Sequence, residues 1–407
     1  MADVIIIGGG ASGMAAAVKA ARGGKHRVTV LERQSRVGRK LLATGNGRCN
    51  LTNTAAAPEH YFGVDRAKAD FAAGVLQRFP PEVVLDWFDE LPLMPAIEYG
   101  GRVYPYSGTA ASVLDVLRLN MERFGVNVVI GAAVDSVRRE RGGFAVSWRG
   151  GGARADKIVI ACGGCAGGKL GGVKDGYRLL ESLGHSITPL HPALCPIRTA
   201  PEYPRALKGI RVSAGARLLA DGKIVAAARG DVLFTETGLS GSVIFDLSLY
   251  SALHAGIKEQ QVALNFFPDG SLEKVTALLR ARVRAWPELE ANRVFTGLLQ
   301  SRLGMMLCKR AGIGGGRKAK TLTDGELAAL SREATDFCLP VTGSGGFDGA
   351  QVTVGGARTE EFNNETLESR LVPGLYACGE VLDVAALCGG YNLHWAWASG
   401  LAAGELR

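Results

Sequence analysis

The sequence lacks the long apolar runs and leader segments of membrane and secreted proteins. No apolar run reaches the roughly 18 residues that a membrane-spanning helix needs. Asp3 and a glycine turn interrupt the N-terminal apolar stretch, and no basic segment precedes it, so we do not expect a signal peptide. These absences predict a cytoplasmic protein with no membrane partner.

Signatures of disulfide frameworks and metal sites are also missing. The eight cysteines do not have the spacing of a disulfide framework, and the six histidines show no ligand spacing. In a chain without a secretion signal, we expect such cysteines to be reduced and mostly buried. We predict no metal site. The cysteines are Cys49, Cys162, Cys165, Cys195, Cys308, Cys338, Cys378 and Cys388.

Glycine, by contrast, is abundant, with 56 among the 407 residues. This is about twice the usual share of roughly 7%. The first glycines follow a predicted buried strand, Val4–Ile7, and lead into an alanine-rich helix, Met14–Ala21. A second predicted strand, Arg27–Leu31, ends at Glu32. This order of strand, glycines, helix, strand and acid is typical of a dinucleotide-binding unit.

Each part of this N-terminal motif has a physical role. Gly8 makes the tight turn, Gly10 allows the backbone to approach a pyrophosphate, and Gly13 allows helix and strand to pack closely. The helix N-terminus presents free N–H groups to the diphosphate. Glu32, nineteen residues after Gly13, is placed to accept hydrogen bonds from an adenosine ribose.

Changes of pattern divide the chain into regions. Residues 1–190 have α/β character, and short β-like runs follow, among them Val232–Phe234 and Val243–Asp246. Residues 251–337 show helical spacing, with Thr323 and Glu326 as a capping box. We therefore predict an α/β fold with a Rossmann-like nucleotide domain from both chain ends, 1–190 and 346–407. Its insertions are a β-barrel-like domain, 191–250 and 338–345, and a helical subdomain, 251–337.

The net charge of the chain is +8, and much of the positive charge lies between Arg280 and Lys320. Only Glu288 and Glu290 oppose ten basic residues there, which favours a solvated helix face, an anionic substrate, a pyridine-nucleotide phosphate or nucleic acid. No recognised nucleic-acid module accompanies the charge, so nucleic acid is a minor alternative. The basic residues are Arg280, Arg282, Arg284, Arg293, Arg302, Lys309, Arg310, Arg317, Lys318 and Lys320.

Longer blocks carry a family resemblance. They are GRKLLATGNGRCNLTN at 38–53, GLYACGEVLD at 374–383, and GGYNL and WAWASG at 389–393 and 395–400. With these blocks the chain resembles, over nearly its whole length, the BaiN/YhiN-type flavoproteins. These are also described as aminoacetone-oxidase-like FAD enzymes of the two-dinucleotide-binding-domain flavoproteins.

The resemblance implies that the dinucleotide is FAD. It also implies the three-part fold given above, with the 38–53 loop near the diphosphate and flavin and the 389–392 turn near the flavin pyrimidine. Glu380 or Asp383 would accept hydrogen bonds from the ribityl hydroxyls. Besides Gly8, Gly10, Gly13 and Glu32, the predicted cofactor-binding residues are Ala11, Ser12, Arg33, Gly38, Arg39, Lys40, Gly47, Arg48, Asn50, Val134, Ala161, Gly163, Gly164, Gly379, Glu380, Asp383, Gly390, Tyr391 and Asn392.

The chain departs from the family pattern at several positions. The usual histidine and proline of one segment are Glu236 and Ser242, a usual glutamine is His394, and GGCAGG at 163–168 replaces a Gly-Gly-Lys-Ser-Tyr-Pro run. These changes leave FAD binding intact. They leave open the substrate and any acid or base shared with the family.

As the first predicted function, the resemblance implies an FAD-dependent oxidoreductase that reduces an unsaturated or carbonyl-conjugated small molecule, including an anionic one. NADH or NADPH would be a transient electron donor, because no second glycine motif with a following acid is present. Glu236, Tyr391 and His394 are the candidate proton donors. Glu236 also fits a plain surface carboxylate, and His394 fits a hydrogen-bonded core or surface histidine.

Three alternatives remain open at this level. The family resemblance also implies an amine oxidase that uses oxygen and needs no nicotinamide site. Cys162 and Cys165 form a CxxC pair after a predicted strand, which permits a flavin-linked dithiol reductase. A non-enzymatic RNA-associated flavoprotein would use the basic region.

Overall fold

The computed structural model describes residues 1–64 and 68–407 and divides into two compact units. The first unit contains Met1–Pro192 and Phe347–Arg407, and the second contains Ala193–Gly346. The finer boundaries at residues 250 and 337 stay a prediction. In the described ranges, no helix is both long and apolar enough to cross a membrane.

The strands are numbered in chain order. They are β1 (Ala2–Ile7), β2 (His26–Glu32), β3 (Thr52–Asn53), β4 (Tyr61–Phe62), β5 (Pro95–Ile97), β6 (Arg102–Pro105), β7 (Asn127–Ile130), β8 (Val134–Glu140), β9 (Gly143–Trp148), β10 (Gly151–Ala155), β11 (Lys157–Ile160), β12 (His191–Ala193), β13 (Ile197–Thr199), β14 (Arg211–Ala220), β15 (Lys223–Phe234), β16 (Gly238–Ser240), β17 (Gln260–Asn265), β18 (Phe337–Ser344), β19 (Val352–Val354), β20 (Leu375–Ala377) and β21 (Ala385–Ala386).

The α-helices are numbered in the same way. They are α1 (Ala11–Ala21), α2 (Arg39–Ala43), α3 (Lys68–Arg78), α4 (Pro81–Glu90), α5 (Ala110–Arg123), α6 (Asp175–Ser182), α7 (Glu202–Ala206), α8 (Ser242–Leu253), α9 (Leu272–Ala285), α10 (Ser301–Arg310), α11 (Asp324–Thr335) and α12 (Tyr391–Gly404).

A parallel sheet in the order β20-β11-β1-β2-β7 forms the centre of the first unit. Its register pairs Ile5 with Ile158 and with Thr29, and Ile158 with Leu375. The strands read as apolar runs because both faces of such a sheet are covered by other elements. The order places a strand from the C-terminal end of the chain beside β11, so the two chain ends share one sheet.

The second unit contains a closed barrel in the order β13-β16-β15-β14-β17-β18. Its core continues into α9, α10 and α11, through residues such as Phe337, Leu279 and Leu307. The predicted capping box of α11 is confirmed, because Thr323 Oγ1 accepts from the Glu326 N–H and the Glu326 carboxylate accepts from the Thr323 N–H.

Two local predictions for this unit differ from the structure. Val243–Asp246, expected as a strand, lies in helix α8, and strand β17 lies inside the range 251–337 assigned to the helical subdomain. Both segments are short apolar runs, for which periodicity cannot separate a strand from a buried helix segment. Helix α8 packs against β14 and β15, and β17 is itself a strand of the barrel, so tertiary packing decides both outcomes.

Helices α1 and α12 pack closely, because small residues line their contact. A Cβ on Gly400 would clash with the Ser12 carbonyl, and a Cβ on Gly404 would clash with the Ala16 carbonyl. Trp395 Nε1 donates to the Gly379 carbonyl at 3.1 Å, and Ser399 Oγ accepts from the Gly379 N–H at 2.9 Å. The first and last helices of the chain are therefore held in one fixed register.

We expect Gly400→Ala to lower the free energy of unfolding by about 1–3 kcal/mol, because the added methyl overpacks the contact between α1 and α12. Urea unfolding followed by circular dichroism measures this change. Gly325→Ala is the matched control, since a Cβ there meets only Thr323 Oγ1 at 3.9 Å. Gly325 is an exposed position of helix α11, so this substitution should leave the free energy of unfolding unchanged or raise it by up to about 1 kcal/mol. Equal effects of the two variants would contradict the role given to Gly400.

Candidate dinucleotide and redox site

The turn between β1 and α1 is built by glycines that meet the neighbouring backbone. Gly8 has φ +112°, and a Cβ there would clash with the Ala161 carbonyl. A Cβ on Gly13 would clash with the Gly8 carbonyl. Gly8 and Gly13 therefore have the turn and packing roles that the sequence suggested, and Ala161 is the partner across the turn.

Gly10 differs from these two glycines because a Cβ there would meet nothing within 4 Å. It is the N-cap of α1, and no side chain of the described chain caps this helix end. The amides of Ala11 and Ser12 thus begin a helix that has no acidic residue in its first turn. Open space over uncapped N–H groups fits the pyrophosphate of a dinucleotide.

Glu32 lies beside this turn at the end of β2. Its carboxylate accepts from the Gly9 N–H at 2.8 Å and from the Gln34 N–H at 2.7 Å. Each carboxylate oxygen has more than one lone pair, so both can accept a further bond. Glu32 therefore organises the glycine turn, and its ribose contact stays a prediction. The neighbouring Arg33 forms an exposed ion pair with Asp175 at 2.7 Å.

The basic loop 38–50 is fixed by internal partners. Gly38 is buried, and a Cβ there would clash with the Leu114 side chain. Arg39 donates to Gln34 Oε1 at 2.8 Å. Arg48 pairs with Glu98 and lies over the Tyr104 ring, 4.1 Å from its centroid. Gly47 is exposed, with open space at its Cβ position. These contacts hold the loop, and cofactor contacts by its members stay a prediction.

Glu380 joins this loop to the C-terminal part of the chain. Its carboxylate accepts from Lys40 Nζ at 3.1 Å and from the Thr353 N–H at 2.8 Å. A Cβ on Gly164 would press on the same carboxylate, and a Cβ on Gly379 would press on Ser12. Lys40, Gly164, Thr353 and Glu380 therefore come together from four separate segments, as a shared cofactor site requires.

Asp383 has a different environment from Glu380. It has no exposed surface, and its carboxylate accepts from Thr188 Oγ1 at 2.8 Å and from the Val64 N–H at 3.1 Å. A buried carboxylate with these partners ties two loops together. Both acids accept hydrogen bonds from other parts of the chain, and contact of either one with the ribityl hydroxyls stays a prediction.

The N-terminus of α12 forms the second helix end of the site. Gly390 has φ +101°, a Cβ there would clash with the Thr52 carbonyl, and no side chain of a described residue caps the helix. Asn392 both donates to and accepts from the backbone of Ala386, at 2.8 and 2.9 Å. The buried Oδ1 of Asn50 finds no hydrogen-bond partner among the described residues and faces Gly390. The unpartnered Asn50 oxygen beside the uncapped N-terminus of α12 fits the polar edge of a ligand. Asn392, by contrast, uses its side chain to hold the turn before α12.

Tyr391 has a neighbour that the sequence analysis missed. The His60 ring stacks on the Tyr391 ring with centroids 4.8 Å apart and an interplanar angle of 13°. Tyr61 Oη donates to the Tyr391 carbonyl at 3.1 Å. No local motif marks His60, because it meets Tyr391 only through the pairing of β4 with β21.

His394 is fully buried one turn further along α12. Its Nδ1 lies 2.9 Å from Thr52 Oγ1. Burial lowers the pKa of His394 to about 4, and the nearby Phe79 backbone only partly opposes this shift. A neutral imidazole with no exposed surface is a core residue, so the structure does not support His394 as a proton donor.

Glu236 lies in the inserted unit, on the turn between β15 and β16. It is exposed and forms an ion pair with Lys208 at 2.9 Å. The hydrogen bond from Lys208 and the charge of Lys208 hold the pKa of Glu236 below its usual value. At neutral pH this residue is an ionised carboxylate, which makes it a poor acid.

Two predicted backbone contacts lie on other strands of the first unit. Val134 begins β8 and is buried. Gly163, after β11, is partly exposed, and its Cβ position has open space around it. Their contacts with a cofactor stay predictions.

The CxxC pair has the properties of structural thiols. Burial raises the pKa of Cys162 to about 12 and also raises the pKa of Cys165. Cys162 Sγ donates to the Ile7 carbonyl at 3.4 Å. Dithiol chemistry needs an accessible thiolate, and this setting opposes one. No group of three or more potential metal ligands occurs within residues 1–64 and 68–407.

Comparison with known proteins identifies relatives along the whole chain. A profile of the HI0933-like protein Rossmann domain matches residues 2–406. The chain is 37% identical over 403 residues to a 3-dehydro-bile acid delta(4,6)-reductase of Clostridium scindens, covering 98% of this chain and 97% of the relative. It is 31% identical over 408 residues to a ribosomal RNA dihydrouridine synthase of Escherichia coli, with coverages of 99% and 97%.

The fold also resembles that of a solved structure. This is the 3-ketosteroid delta1-dehydrogenase of Sterolibacterium denitrificans, with a TM-score of 0.50 and 14% identity, covering 99% of this chain and 98% of that chain. At this identity the likeness concerns the fold. It agrees with the predicted parallel sheet from both chain ends and the inserted barrel.

We expect Gly10→Val to lower FAD affinity by about tenfold or more, because the side chain would fill the space over the α1 amides. Flavin content of the purified protein and titration of the apoprotein with FAD measure this effect. The fold should survive, since a Cβ at Gly10 meets nothing within 4 Å. Gly314→Val in the inserted unit, at an equally open position, is the control. Full FAD binding by the Gly10 variant would contradict the assignment.

His394 should make stability depend on pH. Its folded-state pKa of about 4 lies below the ordinary value of 6.5. Between these two pH values, His394 is therefore protonated in the unfolded chain and neutral in the folded chain. The free energy of unfolding should therefore fall as pH drops from about 6.5 towards 4, with a contribution of about 2 kcal/mol between pH 7.5 and 5.0. His394→Gln removes the titrating group, so its loss of stability over this range should be smaller by that amount. Urea unfolding at both pH values tests this, and identical pH profiles would contradict it.

Proposed function

The chain belongs to the HI0933-like family of FAD-dependent Rossmann proteins and is an FAD-dependent oxidoreductase, and from this premise we propose its reaction. It reduces a carbon–carbon double bond conjugated to a carbonyl group, with NADH or NADPH as electron donor. The observation that carries the proposal is the full-length similarity to a 3-dehydro-bile acid delta(4,6)-reductase and to a ribosomal RNA dihydrouridine synthase.

The chemistry named for the two relatives has a common core. A 3-dehydro bile acid with delta(4,6) double bonds contains a carbonyl conjugated to carbon–carbon double bonds. Uridine, the precursor of dihydrouridine, has its C5=C6 bond conjugated to the C4 carbonyl. In both cases reduction adds a hydride at the far end of the conjugated bond and a proton at another carbon. The electron pair comes from NAD(P)H, which leaves as NAD(P)⁺.

FAD, when bound, supplies the hydride chemistry. Around it, the open amides of α1 would hold the pyrophosphate, Glu32 the adenosine ribose, and Lys40 with Glu380 the middle of the cofactor. The uncapped end of α12 and Asn50 would bind the polar edge of the flavin. A helix N-terminus favours negative charge, so α12 would stabilise the reduced, anionic form.

Tyr391 is the proton donor in this proposal. It is the first residue of α12 and is partly exposed, and its phenol carries an O–H group. His394 is buried and neutral, and Glu236 is ionised by Lys208. The stacked ring of His60 would hold the Tyr391 ring in place.

The alternatives have less support. The bile acid and rRNA relatives are named as a reductase and a synthase of a reduced base, which favours reduction over oxygen-dependent amine oxidation. A dithiol reductase conflicts with the raised pKa values of Cys162 and Cys165. A non-enzymatic flavoprotein does not agree with membership in an oxidoreductase family.

Anaerobic spectroscopy of the FAD-loaded protein tests the proposal. NADH or NADPH should bleach the flavin, and the colour should return on adding a steroid 4-en-3-one or a uridine-containing RNA, each used as an acceptor. Saturated analogues of the acceptors are the controls. Oxygen uptake with an amine and no nicotinamide would instead support the oxidase. Failure of both nucleotides to bleach the flavin would overturn the proposed donor.

Tyr391→Phe separates the two halves of the reaction. Bleaching by the nicotinamide should continue at the normal rate, because it needs no proton from Tyr391. Reoxidation by the acceptor should slow by about 100-fold or more, as for loss of a general acid. Equal reoxidation rates in the variant and the parent protein would rule out Tyr391 as the donor.

A further inference from the structure

We propose that a surface on the helical part of the inserted unit binds single-stranded RNA. We call it the basic surface and define it by Arg282, Arg284, Trp286, Arg293, Lys318 and Lys320. This inference rests on the proposed function and names RNA as the substrate class. The closing experiment measures binding separately from reduction, so the two can fail independently.

Charge is the first argument. Ten basic residues and two acids lie between Arg280 and Lys320. Arg280, Arg310, Arg317 and Lys320 pair with Asp324, Glu333, Glu326 and Glu288. Arg284, Arg293 and Lys309 are exposed and have no ion-pair partner in the described part of the chain. An excess of unpaired cations on one segment is the electrostatic footprint of a nucleic-acid site.

An exposed aromatic ring lies within this charge. Trp286 ends α9 and is 53% exposed. The Arg282 guanidinium lies 4.6 Å from a Trp286 ring centroid and is itself held by the carbonyls of Val294, at 2.9 Å, and Thr296. The indole is therefore pre-positioned. An aromatic face combined with arginine is the platform on which unpaired bases stack.

The Trp286 ring also lines a groove with a volume of about 600 Å³. Ala285, Pro287, Glu288, Leu289, Thr296 and Gly297 form the rest of its lining. Lys318 Nζ donates to the Glu288 carbonyl at 3.1 Å, and Lys320 pairs with the Glu288 carboxylate. The two lysines therefore lie at the rim of a mainly apolar groove. The apolar walls of such a groove suit nucleic-acid bases, and the lysines at its rim suit the phosphates that link the bases.

The loop that carries these lysines leaves its backbone open. In the run GIGGGRKAK at 312–320, a Cβ on Gly312, Gly314 or Gly316 would meet nothing within 4 Å. Backbone bonds from Ala319 N to the Leu289 carbonyl and from Ala291 N to the Arg317 carbonyl fix the loop beside the groove. A phosphate backbone could thus approach the loop main chain as well as its lysines.

Fluorescence anisotropy with the full-length, FAD-loaded protein tests the proposal. The probe is a labelled uridine-rich RNA of about 12 nucleotides, within the usual range for single-strand sites. Binding should weaken steeply between about 50 and 200 mM salt, and each phosphate contact should contribute roughly 0.7 to the logarithmic slope. No binding at low salt, or equal binding of a fully double-stranded RNA, would overturn the proposal.

Variants locate the site. Trp286→Ala should weaken binding by about fivefold or more through loss of stacking. The double variant Arg284→Gln/Lys318→Gln removes two cations and should reduce the salt slope by about 1.4. The matched control is Lys223→Gln/Lys258→Gln, which removes two exposed charges elsewhere in the unit. Equal weakening by the control would show unspecific charge attraction and would refute the basic surface.

Reduction is read out separately from binding. The thermal midpoint, flavin content and bleaching by NAD(P)H should stay normal in all these variants. Reduction of a steroid enone by protein that does not bind RNA would refute this inference and leave the proposed reaction standing. RNA binding by protein that reduces no acceptor would support the basic surface and refute the proposed reaction.

Discussion

The close contact between the first and last helices is the constraint on which the first unit depends. Gly400 and Gly404 of α12 meet the backbone of α1 at Ser12 and Ala16, where a Cβ would clash. This contact fixes the two helices in one register and fixes the two helix N-termini with them. This packing holds the glycine turn and the Gly390 turn in one unit, as the proposed cofactor site requires.

The carboxylates around the candidate site form hydrogen bonds within the protein in the absence of a ligand. Glu32 binds the amides of Gly9 and Gln34, and Glu380 binds Lys40 and the Thr353 amide. These hydrogen bonds already fix both carboxylates, which pre-organises them for a ligand. Asp383 and His394 lie deeper and have no exposed surface.

The two units divide the chemistry between them. The first carries the features of a redox cofactor site, and the second carries most of the unbalanced positive charge. The charged segment is not built like the cofactor site. It presents an exposed indole, arginines without carboxylate partners and an open glycine loop. These are properties of a surface that contacts a large anionic molecule.

The sequence by itself determined the glycine turn, the position of Glu32, helix α12 and the capping box of α11, because each depends on neighbours within a few residues. It also indicated the family through long contiguous blocks. Only the tertiary structure decided that Val243–Asp246 is helical and that Asp383 and His394 are buried. It alone brought His60 to Tyr391. These outcomes depend on packing between residues distant in sequence or on side-chain placement, and local patterns contain no information about either.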